Sequence, residues 1–267
     1  MTCFSEAFLF PYYCGVLSAL RAEGVVTDAT PLAGASAGAI VAVCAAAGLS
    51  PARMIALCEG VYAETLRRGV VGAVEGVLRE ALHRELPEDA HLRASGRVAV
   101  GVTRLFPPQR EAISQFESRE DLIDVVVASS FIPIYLAPAL ATPLRGRAHV
   151  DGYFSAFLPE LPVPCKETVD VTCFPPLAAA LLRPADALFA ESPGRHDIQP
   201  GVAELLAPRG GAPGSAPSGM STGASADGRM SSLVYSFSTA LIPNAQEIGP
   251  MAEAGERDAR AWAAQRQ

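Results

Sequence analysis

The sequence predicts an α/β fold, with a mostly parallel central sheet covered by helices on both faces. Three observations carry this reading. Helix-like and strand-like patterns alternate along the 267 residues. A Gly-x-Ser-x-Gly element, Gly34-Ala35-Ser36-Ala37-Gly38, falls between a short buried-strand pattern and a small-residue helix. The composition, 50% hydrophobic and 18% charged, supplies a sizeable core.

Taken in order, residues 2–5 read as a first short strand. Residues 8–23 read as a helix that carries Val16, Leu17 and Leu20 toward a core. Residues 29–33 form the buried strand before the Ser36 turn, and residues 37–47 the helix after it. Ser50-Pro51 gives an N-cap followed by proline at the first helical position, so a helix runs over 51–68. A further helix covers 75–85 and stops before Pro87. Residues 98–105 alternate as a strand, Pro107-Pro108 turns the chain, and residues 112–116 supply a pairing strand. Ser118 with Asp121 resembles a capping box that opens a helix reaching Ala128. Residues 148–151 and 168–174 read as strands. Residues 208–232 are Gly, Ser, Ala and Pro with few large apolar side chains, the composition of a mobile linker. Residues 250–267 read as a terminal helix. The chain therefore divides into a core over 1–207, the linker over 208–232, and a helical segment over 233–267 that packs back on the core.

The chemistry centres on Ser36. A Gly-x-Ser-x-Gly turn from strand to helix lifts a serine hydroxyl clear of the sheet in a strained backbone conformation. Gly34 and Gly38 are needed because side chains there would collide. The following helix points its free N–H groups and positive dipole end at the serine, which favours an oxyanion. A membrane span over the charge-free residues 29–52 is the competing reading. It is disfavoured by the dominance of Ala and Gly and by Pro31.

A nucleophilic serine needs a base. Among His83, His91, His149 and His196, the order Ser36, Asp151, His196 fits a hydrolase triad loosely. His149 shares a strand side with Asp151. The alternative is a dyad of Ser36 with Asp151, a carboxylate serving as base in a dry site. An ordinary Asp-Gly turn at Asp151-Gly152 is the bland reading.

The net charge of −7 and the lack of a basic stripe argue against a nucleic-acid partner. The six cysteines include no C-x-x-C pair, so free buried thiols are expected and no metal site is expected. The N-terminus lacks a basic segment before its apolar stretch, which predicts a cytoplasmic address rather than secretion.

The sequence resembles the patatin-like phospholipases, in the adipose triglyceride lipase and adiponutrin branch. Gly34-Ala35-Ser36-Ala37-Gly38 matches the nucleophile motif. Ser95-Gly96-Arg97, the run from Thr103 to Gln109, the run from Ser118 to Ile123, and the run from Ser130 to Tyr135 match in order. Val150-Asp151-Gly152 with Leu158-Pro159, then Asp197-Ile198 and Ala240-Leu241-Ile242-Pro243, follow. The resemblance implies a patatin-like three-layer fold and a Ser36–Asp151 dyad without a catalytic histidine. It implies hydrolysis of triacylglycerol or phospholipid esters through an acyl-enzyme, with acyl transfer also represented in the branch. No cofactor is implied, and the expected partner is a lipid ester at a membrane or lipid-droplet surface, bound peripherally. Where the family has a glycine-rich oxyanion loop, this chain has Ser5, Glu6 and Ala7. That change implies the alternative of a catalytically weak lipid-binding or regulatory protein, because backbone angles and charge at the loop are altered. The segment around Asp151 and Gly152 ends in Tyr153 rather than a second glycine.

Overall fold

A computed structural model describes residues 2–3, 9–154, 159–165, 167–173, 198 and 243–266. Its elements, in chain order, are β1 (Thr2–Cys3), α1 (Phe10–Ala22), β2 (Leu32–Ala35), α2 (Ala37–Ala46), α3 (Pro51–Arg68) and α4 (Val74–Glu85). There follow α5 (Ala90–Ala94), β3 (Val98–Arg104), β4 (Gln109–Ile113), α6 (Arg119–Ser129), β5 (Thr142–Leu144), β6 (Arg147–Asp151), β7 (Asp170–Val171) and α7 (Ile248–Ala264). The predicted linker over 208–232 lies outside the described residues.

The sheet is mixed. β7, β1, β2 and β3 run parallel, while β4, β5 and β6 add antiparallel pairs. β2 and β3 are buried along their whole length, as strands covered on both faces must be. β4 instead exposes Gln109 and Ala112, and it begins three residues earlier than the pattern at 112–116 predicted. Its register is set by the hairpin from β3, not by an apolar alternation.

The registers on β3 decide where the site lies. β4 pairs with Val100–Arg104 along one edge. The other edge is shared. β2 comes up it in parallel and ends with Ala35 opposite Gly101, while β6 comes down it antiparallel and ends with Asp151 opposite Val102. The backbone bonds just beyond the two ends of β3 agree: Leu32 N–H donates to Arg97 O, and Leu105 N–H donates to Ala148 O. Two strands thus meet head to head, one residue step apart, or about 3.3 Å along β3.

α2 and α6 pack on the sheet, and α1, α3 and α4 stack around them. α7 lies along α1 at very close approach. A Cβ on Gly15 would stand 1.9 Å from Ala252 O, and one on Gly255 would stand 2.1 Å from Tyr12 O. The Tyr12 hydroxyl donates to Asp258 at 2.8 Å across the same contact.

α6 opens as the capping pattern predicted, with a difference. The Ser118 hydroxyl accepts from Asp121 N–H at 3.1 Å, but the Asp121 carboxylate accepts from Glu117 N–H rather than from Ser118. That carboxylate also takes Arg145 at 2.6 and 2.9 Å. The Arg145 hydrogen bonds, foremost, hold the Asp121 carboxyl below its ordinary range. A depressed folded-state value means that this contribution is complete above the unfolded value and lost as pH falls through the folded one. Asp121→Asn is therefore expected to lower Tm at neutral pH, with the difference shrinking as pH falls through the depressed folded-state value, read from melts across pH.

Candidate active site

Ser36 stands between β2 and α2 with φ 50° and ψ −124°, outside the conformations a non-glycine residue ordinarily adopts. The turn is compact enough to exclude side chains around it. A Cβ on Gly34 would lie 2.4 Å from both C and O of Gly38. The strand expected over 29–33 lies instead at Leu32–Ala35, and the helix begins at Ala37 as expected.

The conformation is held by the last residue of α6. Ser36 N–H donates to the Ser129 hydroxyl at 2.9 Å and to the Ser129 carbonyl at 3.1 Å. The same hydroxyl donates onward to Gly101 O at 2.7 Å. Gly101 is the residue at which β2 gives way to β6 on the β3 edge, so the Ser129 hydroxyl fills the break in the ladder. Two residues later, Phe131 O accepts from Asp151 N–H at 2.8 Å, and Thr103 donates its hydroxyl to Asp151 O at 2.8 Å. One segment, 129–131, pins the backbones of both Ser36 and Asp151. Both residues are buried at 1% exposure.

Gly152 completes the junction. A Cβ there would fall 2.1 Å from Gly101 O and 2.9 Å from the Ala35 Cβ. The strand carrying Asp151 can come this close to the Ser36 turn only if the next residue has no side chain. The structure thus brings Ser36, Asp151, Gly34, Gly38 and Gly152 together. Ser5, Glu6, Ala7 and His196 lie outside the described residues. His149 is turned to other work: its Nε2 meets Glu111 at 3.2 Å and its Nδ1 meets Arg147 O at 3.1 Å, with Arg104 on the same Glu111 at 3.0 Å.

Sequence reasoning passed over Ser129, because its partners are far away in the chain and nothing local marks it. Ser129→Ala leaves the Gly101 carbonyl without its donor in a buried place. The expected cost is about 1–3 kcal/mol, read from the denaturant midpoint.

An apolar cavity of about 60 Å³ opens at Ser36. Phe10, Ile40, Leu57, Val61 and Leu78 supply apolar walls. Cys58, Tyr62 and Tyr135 also line it, and burial above all pushes all three above their ordinary values. They stay protonated at neutral pH, so the cavity carries no charge from its thiol or phenols. At its mouth the first turn of α2 begins. Ala39 N–H and Ile40 N–H already bond to Ser36 O, which places the Ala37 and Gly38 N–H groups ahead of the first intrahelical bonds. Among the described residues no cluster of His, Cys, Asp and Glu has metal-site geometry. No described helix is long and apolar enough to cross a membrane.

A serine on a strand-to-helix turn, at the carboxyl end of a parallel strand, beside a buried aspartate and an apolar cavity, is the geometry of a nucleophile elbow. The chain belongs to the patatin-like phospholipase family, whose model matches residues 7–163. Human patatin-like phospholipase domain-containing protein 4 is 38% identical over 167 residues, covering 58% of this chain and 64% of the relative. Human patatin-like phospholipase domain-containing protein 2 is 35% identical over 175 residues, 62% of this chain and 34% of the relative. Human omega-hydroxyceramide transacylase is 31% identical over 162 residues, 58% of this chain and 30% of the relative. The chain thus spans between about a third and two thirds of the length of these relatives.

Proposed function

We propose that the chain cleaves ester bonds of triacylglycerol or phospholipid by a Ser36–Asp151 dyad through an acyl-enzyme. The observation that supports this most is the head-to-head meeting of β2 and β6, in which Ala35, the residue before Ser36, and Asp151 stand opposite neighbouring residues of β3. Asp151 takes the Ser36 proton as Oγ attacks the ester carbonyl carbon. The developing oxyanion faces the Ala37 N–H and the N-terminus of α2. The C–O bond to the leaving alcohol then breaks, and Asp151 returns the proton to that oxygen. Water, or an acceptor alcohol, gives its proton to Asp151 and attacks the acyl-Ser36 carbonyl carbon; the bond to Ser36 Oγ then breaks, Asp151 returns the proton to that oxygen, and the acid or the transferred ester leaves. The acyl chain lies in the apolar cavity, where Phe10, Ile40 and Leu57 exclude water.

The cytoplasmic face of a membrane or a lipid droplet is where such a substrate is met. A fluorophosphonate with an alkyl chain tests the nucleophile. Mass spectrometry should find the adduct on Ser36, and Asp151→Asn should label far more slowly. Labelling at another serine, or none at all with lipid binding intact, would instead favour the catalytically weak lipid-binding reading that Ser5, Glu6 and Ala7 suggest.

A further inference from the structure

Two stretches beside the cavity are free of charge and yet reach solvent. No charged residue lies between Arg68 and Glu75, in the α3–α4 connection, or between Asp124 and Arg145, from within α6 to the end of β5. Hydrogen bonds join the two loops: Gly72 N–H donates to Tyr135 O at 2.8 Å, and Glu75 N–H to Leu136 O at 3.1 Å. The second loop also closes on itself, with Ile134 N–H donating to Ala139 O at 2.9 Å.

The side chains then divide. Val74, Tyr135 and Leu136 line the cavity with Ser36. Their neighbours Val71, Ile134 and Leu140 face solvent at 67%, 54% and 74% exposure. Single exposed apolar residues are ordinary, but three on two hydrogen-bonded, charge-free loops around one apolar opening make a patch. Ile134 adds an independent observation. Its φ is +67°, a left-handed conformation that is a true outlier for a β-branched residue. Strain of this kind persists at binding sites and clamps where the surroundings enforce it. Glycine or asparagine would relieve the strain here but would remove the outward apolar side chain.

Charge identifies the partner. The basic residues nearest in sequence are paired: Arg67 and Arg68 with Glu64, Arg68 also with Glu80, and Arg145 with Asp121. The patch therefore offers apolar contact without a free positive field, unlike a surface that reads anionic headgroups. We propose that Val71, Ile134 and Leu140 form a docking platform that seats the mouth of the cavity on an uncharged lipid surface. The platform rests on the acyl-ester reading for what enters the cavity, but docking itself is measured without catalysis.

The test is flotation of the full chain with triolein particles coated in phosphatidylcholine. The wild-type chain should float with them, equally well at low and high salt and with no gain from added phosphatidylserine. The triple variant Val71→Asp, Ile134→Asn, Leu140→Asp should partition at least about tenfold less. Ile134→Gly alone guards against misfolding, since it relieves strain. It should melt no lower than wild type and still partition several-fold less. Flotation of the triple variant at the wild-type level would overturn the platform. So would wild-type binding that requires phosphatidylserine and is released by salt, or a dimer in solution that the triple variant breaks while no form floats. A chain that docks as described but labels nowhere with fluorophosphonate keeps the platform and loses the hydrolase reading.

Discussion

Asp151→Asn should lower kcat for long-chain ester cleavage by roughly a thousandfold, to the same floor as Ser36→Ala. The reason is that the two residues act as one unit. Without the carboxylate, the Ser36 hydroxyl loses the proposed acceptor of its proton, and an unactivated serine is a weak nucleophile. Losses of groups that act together do not add, so the double variant should be no slower than either single one. Asparagine preserves the shape of the side chain, and the backbone bonds of residue 151 to Phe131 and Thr103 remain. The melting temperature should therefore change little while turnover collapses. His149→Ala provides the contrast. Its ring is engaged by Glu111 and Arg147. The expected result is a loss of stability from the stranded Glu111–Arg104 pair, with kcat reduced far less than by Asp151→Asn.

Gly152→Ala should destabilise the chain by about 3 kcal/mol or more, at the upper end of overpacking effects. The new methyl would need to occupy space 2.1 Å from Gly101 O and 2.9 Å from the Ala35 Cβ, and both belong to the junction of β2, β3 and β6. Neither neighbour is a flexible side-chain end that could swing away, so strands must separate. In a domain of this size the melting temperature should fall by roughly 6–12 °C. Activity should fall too, because the same shift moves Asp151 from the Ser36 turn. Gly34→Ala, which meets Gly38 at 2.4 Å, should behave alike. Gly76→Ala gives the opposite sign. It lies in α4 with nothing within 4 Å, so alanine there should stabilise by about 0.5–1 kcal/mol.

Much of this was legible in the sequence where a local rule suffices. Pro51 after Ser50 fixes the start of α3, and the helix covers Pro51–Arg68 as read. The Gly-x-Ser-x-Gly turn marks itself, because its glycines are demanded by contacts four residues apart. Elements decided by tertiary packing were less visible. α5 has five residues and β5 three, too short for a period to show, and both were missed. Pro143 inside β5 also argues against a strand, and is tolerated because among the described residues β5 is paired on one side only, with β6. The alternation of Val98, Val100 and Val102 does mark β3, at Val98–Arg104, even though burial along its whole length leaves it no exposed face. At the site, the proximity of Ser36 to Asp151 came from family resemblance, since 115 positions separate them and only the shared edge of β3 makes them neighbours. Ser129 is the extreme case. A serine ending a helix is ordinary, and its hydroxyl gains meaning only where the ladder on β3 breaks.

Intact-mass spectrometry of the chain, quenched within one turnover of a long-chain p-nitrophenyl ester, tests the pairing of Ser36 with Asp151 most directly. The prediction is an added acyl mass on the peptide containing Ser36, formed in a burst with p-nitrophenol release, and absent in both Ser36→Ala and Asp151→Asn. Ester turnover that proceeds with no acyl mass on Ser36, or an acyl-Ser36 burst that forms at the wild-type rate in Asp151→Asn, would contradict it.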